Sequence, residues 1–364
     1  ELRTTPTQHS VKELREIGIQ PDILLCRVPY ALEDSLKQKL ALFTNVEFDA
    51  VISAYDVRTT IYEIPLIFRR QRLDEIAMDR LRIEGTEPQL EPWERVVDVF
   101  SSAERTVRIA VVGKYIELND SYKSVDEALF HGGIANGVRV ELVKLDSEKL
   151  EKTHKPESFF ADVDGILVPG GFGSRGVEGM IETARYAREH DIPYFGLCLG
   201  LQVMVIDFAR AVLGLEEANS TEFTPETPHP VVSLLEEQVN VQNYGGTMRL
   251  GTNESHLMPG SRIHEIYGSE SIVERHRHRY EVSNQYRETL HEAGLRVSGV
   301  TADKALVEAV EWPEHRWGMG VQFHPEFRSK PIAAHPLFKS FVGAALGYQQ
   351  SREQERSYQL QAEQ

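Results

Sequence analysis

Two rhythms of apolar and polar positions run along this chain, and the changes between them predict its elements. In residues 1–82, apolar runs at 22–28 and 50–54 read as strands. They alternate with helical segments, one opened by the capping box Ser10-Val-Lys-Glu13 and ending at Gly18, the other over 32–42. Strands that alternate with helices predict a parallel sheet. Residues 83–106 are acidic and turn-rich, with Pro88, Pro92 and an isolated Trp93, and read as a linker that Trp93 pins to a neighbour. A second α/β domain is predicted over 107–347. Its strands fall at 107–113, 138–145, 163–168 and 192–195. Its first helix covers 125–130, capped by Asp120 or Ser121 and ended by Gly132 and Gly133. Val177, Met180, Ile181, Ala184 and Ala187 mark a helix at 3.6 spacing. Residues 199–213 are apolar on nearly every face, as in a helix buried inside a domain, with Gly214 as its stop. Trp317, Met319, Val321 and Phe323 alternate with Gly318, Gly320, Gln322 and His324, which predicts a strand with His324 at its end, facing away from the apolar side. The Gln/Glu-rich residues 348–364 read as a disordered tail.

Composition narrows the class. A chain of 364 residues that is 41% hydrophobic supports about two domains with real cores. A net charge of −16 argues against nucleic acid or an anionic membrane as partner, since both need clustered Lys and Arg. Two cysteines, Cys26 and Cys198, make no disulfide framework, and a reducing cytoplasm fits. Cys26 lies in a predicted strand and reads as core. No apolar run reaches membrane-spanning length, and no basic-then-apolar leader opens the chain. The first residue is Glu1, inside what reads as a continuing domain, so a fragment or processed piece is expected.

The chemistry centres on Gly196-Leu-Cys198-Leu-Gly200, a tight turn between a predicted strand and helix. A nucleophile at that corner repeats the elbow logic of serine hydrolases with a thiol in place of the hydroxyl. The helix start aims N–H groups and partial positive charge at the sulfur and favours the thiolate. Upstream, Pro169-Gly-Gly-Phe-Gly-Ser-Arg-Gly176 lacks the phosphate-loop pattern Gly-x4-Gly-Lys-Ser/Thr, which occurs nowhere in the chain. Its N–H groups suit an oxyanion instead, because adjacent strands bring it to the edge that carries Cys198. Downstream, His324-Pro-Glu326 places an imidazole beside a carboxylate, a base with a set tautomer. In Glu274-Arg-His-Arg-His-Arg-Tyr-Glu281, alternation sets His276, His278 and Tyr280 opposite Arg275, Arg277 and Arg279. An anion-binding edge fits this stretch better than a metal site on the two histidines, because the flanking cations would repel a metal. The polar segment Arg3-Thr-Thr-Pro-Thr-Gln8 reads either as a phosphate site near a helix start or as a solvated loop.

Together Pro169-Gly-Gly-Phe-Gly173, Gly196-Leu-Cys-Leu-Gly200 and Gln322-Phe-His-Pro-Glu-Phe327 resemble the three signatures of class I (triad) glutamine amidotransferase domains. Residues 2–12, 113–125, 218–222 and 274–282 extend the likeness, over nearly the whole chain except the tail, to the CTP synthase family. That resemblance implies an α/β fold: a flavodoxin-like open sheet with helices on both faces over 107–347, preceded at 1–82 by the C-terminal part of a P-loop-type synthase domain. It implies hydrolysis of L-glutamine and ATP-dependent amination of UTP to CTP. It makes Cys198 the nucleophile, His324 the general acid/base and Glu326 its orienting carboxylate. Gly171 and Leu199 would supply the oxyanion hole. Gly171, Leu199, Gly200, Leu201, Gln202, Glu222 and Arg279 would hold glutamine. Arg3, Thr4, Thr5, Pro6, Thr7, Gln8 and Lys39 would hold UTP or CTP. The family's usual loop there is Lys-Thr-Lys-Pro-Thr-Gln, so Arg3 and Thr5 stand in place of its lysines and one phosphate-facing cation is lost. ATP, magnesium and an activating GTP are implied for the full-length enzyme, with a homotetramer and no metal held by this chain. The ATP-binding N-terminal half is absent on this reading, so the chain alone is expected to hydrolyse glutamine and make no CTP. The rival readings are a stand-alone γ-glutamyl hydrolase and an inactive binding or assembly module.

Overall fold

In the computed structural model, residues 3–116, 120–153, 156–234 and 248–362 are described. They divide into two compact units, Glu1–Ala103 and Glu104–Gln364.

In the first unit, β1 (Leu24–Val28) and β2 (Val51–Tyr55) pair in parallel. Val11, Leu24, Cys26, Leu40 and Val51 form its small core. The first helix begins at Thr5, ahead of the predicted capping box, and runs to Glu16. Pro6 sits in its first turn, where a missing N–H costs nothing. Ser10 is therefore mid-helix, and its hydroxyl donates to the Pro6 carbonyl at 3.1 Å rather than capping. The second helix spans Asp34–Thr44. The segment read as a linker carries a helix, Glu91–Ser102, which belongs to this unit. Trp93 lies 6.2 Å from the Tyr62 ring, so the pin expected of it is made within the first unit.

In the second unit the strands in chain order are β3 (Thr106–Gly113), β4 (Arg139–Asp146), β5 (Gly165–Val168), β6 (Tyr194–Leu197), β7 (Ala218–Ser220), β8 (His229–Ser233) and β9 (Arg249–Leu257). Then come β10 (Ser271–His278), β11 (Glu281–Val282), β12 (Arg296–Thr301), β13 (Val307–Glu311) and β14 (Gly318–Val321). Nine of them form one sheet in the order β10-β9-β12-β13-β14-β6-β5-β3-β4. From β14 to β4 every pairing is parallel; from β10 to β14 every pairing is antiparallel. A separate three-stranded sheet has the order β11-β8-β7.

Side chains of β3 alternate between two cores. Val107, Ile109 and Val111 pack with Val125, Leu129, Phe338 and Phe341 from helices Lys123–Asn136 and Pro336–Ala362. Ala110 and Val112 pack with Met180, Ala184 and Val203 from helices Val177–Glu189 and Leu199–Ala211. Helices thus cover both faces. Gly132 and Gly133 lie inside their helix instead of ending it, because they let neighbours approach. A Cβ on Gly132 would stand 2.7 Å from the Phe338 carbonyl oxygen. The helix ends at left-handed Gly137.

The residues read as a disordered tail continue the last helix to Ala362. Polar composition misled here because polar partners await it. Gln349 donates to the Thr106 carbonyl (2.8 Å) and to Asp164 (2.9 Å), and Arg352 pairs with Asp164 at 2.6 Å. Part of the Gly113–Val125 signature lies outside the described residues.

At the elbow, a Cβ on Gly200 would sit 2.2 Å from the Val168 carbonyl oxygen, and one on Gly196 would sit 2.4 Å from the Gly200 carbonyl oxygen. Backbone meets backbone there, so no rotamer change relieves a clash. Gly200→Ala is expected to lower unfolding free energy by at least about 1–3 kcal/mol, the usual cost of overpacking. Urea unfolding of the variant beside the parent chain checks this.

Candidate active site

Cys198 follows β6 and caps the helix Leu199–Ala211 with φ 52° and ψ −98°, a backbone conformation that a residue with a Cβ rarely adopts. The turn survives because the sheet holds it: the Cys198 N–H donates to the Val321 carbonyl at 2.7 Å. The thiol is free and buried. His324 leaves β14 on the same side, and its N–H donates to the Arg275 carbonyl of β10 at 2.8 Å. Gln322, two residues earlier and on the same face, donates from Nε2 to Cys198 Sγ at 3.6 Å. His324 Nδ1 is 2.7 Å from Glu326 Oε1, the carboxylate standing in a short 3-10 turn, Pro325–Arg328. The other nitrogen, Nε2, is buried with no hydrogen-bond partner among the described residues. The place a Cβ would take on Gly170 lies 3.5 Å from Cys198 Cβ and 3.7 Å from His324 Nε2, so the glycine loop, the thiol and the imidazole meet at one point.

A cavity of about 290 Å³ opens there. Cys198, His324, Glu326, Gly170, Gly171, Phe172 and Arg277 line it, together with Tyr115 and Tyr122. Of the residues tied to glutamine by resemblance, Gly171 lines this cavity. Leu199, Gly200, Leu201, Gln202, Glu222 and Arg279 are not among its lining. Leu199 and Leu201 are core, and Gln202 donates to the Tyr280 carbonyl at 3.1 Å. Glu222 accepts the Gly173 N–H at 2.7 Å. Burial raises its pKa, while that hydrogen bond, Lys114 and Arg279 work the other way.

Sequence reasoning gave Lys114 no role, and named Gly170 and Arg277 only as members of the glycine loop and of the anion-binding edge. The only available sign for Lys114 is a cation directly after an apolar strand. Gln322 was placed on the correct face but given no contact.

His276 and His278 are buried and already engaged. His276 Nε2 bonds to Glu308 Oε2, His278 Nε2 lies 2.8 Å from Glu281, and Arg249 pairs with Glu281 (3.0 Å) and Glu308 (2.7 Å). Among the described residues no group of three or more His, Cys, Asp or Glu could hold a metal. Arg275 and Arg277 point outward, as the alternation predicts. In the first unit, Thr5 to Gln8 occupy the opening turn of the first helix, with Gln8 donating to Thr4 Oγ1 at 3.1 Å, and Lys39 is exposed on the second helix. Among the described residues no helix is long and apolar enough to cross a membrane.

A cysteine elbow, a glycine loop and a strand-terminal His–Glu pair thus meet on one mixed sheet. Residues 117–344 match the sequence profile described as Glutamine amidotransferase class-I, and the chain belongs to that family. Residues 1–83 match the profile described as CTP synthase N-terminus. The chain is similar to CTP synthase of Syntrophus aciditrophicus, 54% identical over 359 residues, covering 98% of this chain and 66% of that protein. CTP synthase of Aquifex aeolicus is 51% identical over 348 residues, covering 96% of this chain and 65% of that protein. The chain thus spans slightly under two thirds of the length of these relatives. Among solved structures, the glutaminase domain of Trypanosoma brucei CTPS with bound acivicin matches with TM-score 0.63 and 45% identity, covering 66% of this chain and 94% of that one.

Burial alone would lower the His324 pKa. The Glu326 charge and hydrogen bond outweigh it together with Cys198, and the imidazole is held well above its ordinary value. A raised folded-state pKa contributes stability that is fully present below the unfolded value, about 6.5, and is lost as pH rises through the folded value. The stability advantage of the parent chain over His324→Gln should therefore be largest below about pH 6.5 and shrink at higher pH. NMR titration should also show Glu326→Gln lowering the His324 pKa.

Proposed function

We propose that the second unit hydrolyses L-glutamine to glutamate and ammonia through Cys198, His324 and Glu326. The observation that carries this reading is the strained Cys198 corner meeting a buried, unpartnered His324 Nε2 whose other nitrogen is held by Glu326. A nucleophile, a base and an orienting carboxylate in that order suit acyl transfer. His324 takes the thiol proton, and Cys198 Sγ attacks the amide carbon. The oxyanion of the tetrahedral intermediate rests on the N–H groups of Gly171 and Leu199. The C–N bond breaks as His324 returns the proton to the leaving nitrogen, which departs as ammonia. Water, deprotonated by His324, cleaves the thioester and releases glutamate. Glu222 and Arg279 answer the ammonium and carboxylate of glutamine, as charge complementarity requires.

The likeness to CTP synthases extends the proposal. Ammonia would serve ATP-dependent amination of UTP to CTP, with residues 3–8 and Lys39 of the first unit on the pyrimidine nucleotide. N–H groups at the start of a helix suit its phosphates. ATP with magnesium, and GTP as activator, are expected as ligands of the whole enzyme, and a homotetramer as its assembly.

Cys198→Ala is expected to abolish glutamine hydrolysis, read as glutamate release, and a glutamine analogue with an electrophilic carbon should leave an adduct on Cys198 by mass spectrometry. Undiminished hydrolysis by the variant refutes the assignment. A separate assay with UTP, ATP, magnesium and ammonia should show no CTP from this chain, which contains no phosphate-loop pattern; turnover would overturn that part alone.

A further inference from the structure

Lys114 is the first residue after β3, yet its side chain does not reach water: the residue is 4% exposed. Its Nζ donates to the carbonyl of Phe172 at 3.3 Å and to that of Gly173. Glu222 Oε1 accepts the N–H of Gly173 at 2.7 Å. The Phe172 carbonyl and the Gly173 N–H are the two ends of one peptide plane. A cation therefore grips one end of that plane and a carboxylate the other. The lysine is anchored in turn. Its N–H donates to Tyr122 Oη at 3.1 Å, and its carbonyl accepts from Arg175, which pairs with Glu148 at 2.6 Å. The lysine stem also lies along the loop: a Cβ on Gly171 would be 3.8 Å from Lys114 Cδ.

This arrangement is costly. Burying an ammonium is unfavourable, and a lysine at a strand end has a solvated alternative. Burial pushes its pKa down to about 8, with Glu222 opposing the fall and Arg175 adding to it. A glycine-rich loop has little else to fix its peptide planes, since glycine admits many backbone conformations.

Resting on the glutaminase reading above, we propose that Lys114 is a positioning residue: with Glu222 it locks the Phe172–Gly173 peptide, and its stem lies against Gly171, so that the N–H of Gly171, two peptide planes upstream, stays aimed at the oxyanion. It touches no reacting atom. Small misplacements of a catalytic group can cost on the order of 10²-fold in rate.

Lys114→Met keeps the stem and removes the donors. In this variant kcat for glutamine hydrolysis should fall roughly 10- to 100-fold, with KM changed far less. Alkylation of Cys198 by iodoacetamide, which uses the thiolate but no oxyanion hole, should keep its rate. Hydrogen exchange in peptides covering 169–176 should speed up, a readout that needs no activity. Unchanged kcat, unchanged exchange, or an equal fall in kcat and alkylation each overturns the proposal. If the parent chain itself fails to hydrolyse glutamine, the underlying reading fails, and the exchange result still decides whether Lys114 orders the loop. Lys114→Gln, with donors on a shorter stem, replaces the Met variant if that one does not fold, and should show the same pattern to a smaller degree.

Discussion

The close approach of three backbone segments at the end of the parallel strands sets everything else in the second unit. Val168 at the end of β5, Gly196 in β6 and Gly200 in the following helix come together at separations that leave no space for a Cβ. That contact forces the chain to turn within a single residue, and the residue is Cys198, held at positive φ. Strain of this kind persists only where the surroundings over-determine it. Here they do: strands lie on both sides of β6, and the helix that follows is buried along nearly its whole length. The same contact carries the glycine loop after β5 to the sulfur, because the loop starts one residue beyond Val168.

The antiparallel half of the sheet serves a different end. Its strands carry buried charge: Glu308 holds His276 and Arg249, and Glu281 holds His278 and Arg249. Burial would raise the Glu308 pKa, but His276 and Arg249 outweigh it and keep the carboxylate ionised. Removing any one member would leave a buried charge or donor uncompensated, which is what makes such networks unforgiving. The cluster adjoins the site through the backbone. The Glu308 carbonyl accepts the Gln322 N–H at 2.8 Å, and the Arg275 carbonyl accepts that of His324. The position of the imidazole is thereby tied to two strands on which it does not lie.

Much of this was legible in the chain itself. Local rules suffice for an elbow: a short apolar run, two glycines around a cysteine and an apolar helix, each a statement about neighbours in sequence. Period-two alternation placed Gln322 and His324 on one face and His276 and His278 on the inner face of β10, because a strand's geometry is the same wherever it sits. The errors have two causes. The capping box at Ser10 lost to a neighbour, Pro6, which starts the helix earlier, whereas the helix stop at Gly132 and the disordered tail after Tyr348 are sound local readings overridden by distant partners: a crossing helix that needs glycine, and Asp164 waiting for Arg352. The turn-rich segment around Trp93 carries a helix that local signals did not announce, and the pin expected of Trp93 falls on Tyr62, well back in the chain.

By itself the sequence determined which residues can do chemistry and which local geometry each would take, since turn sterics, strand alternation and helix caps depend only on near neighbours. The tertiary structure decided which of them meet. Pairing of β5, β6 and β14 brings Gly170, Cys198 and His324 to one point, and the long reach of Lys114 to residues 172 and 173 has no trace in local pattern. Contacts across more than fifty residues are set by how strands order themselves in a sheet, and that order follows from burying two apolar faces at once, a property of the whole domain.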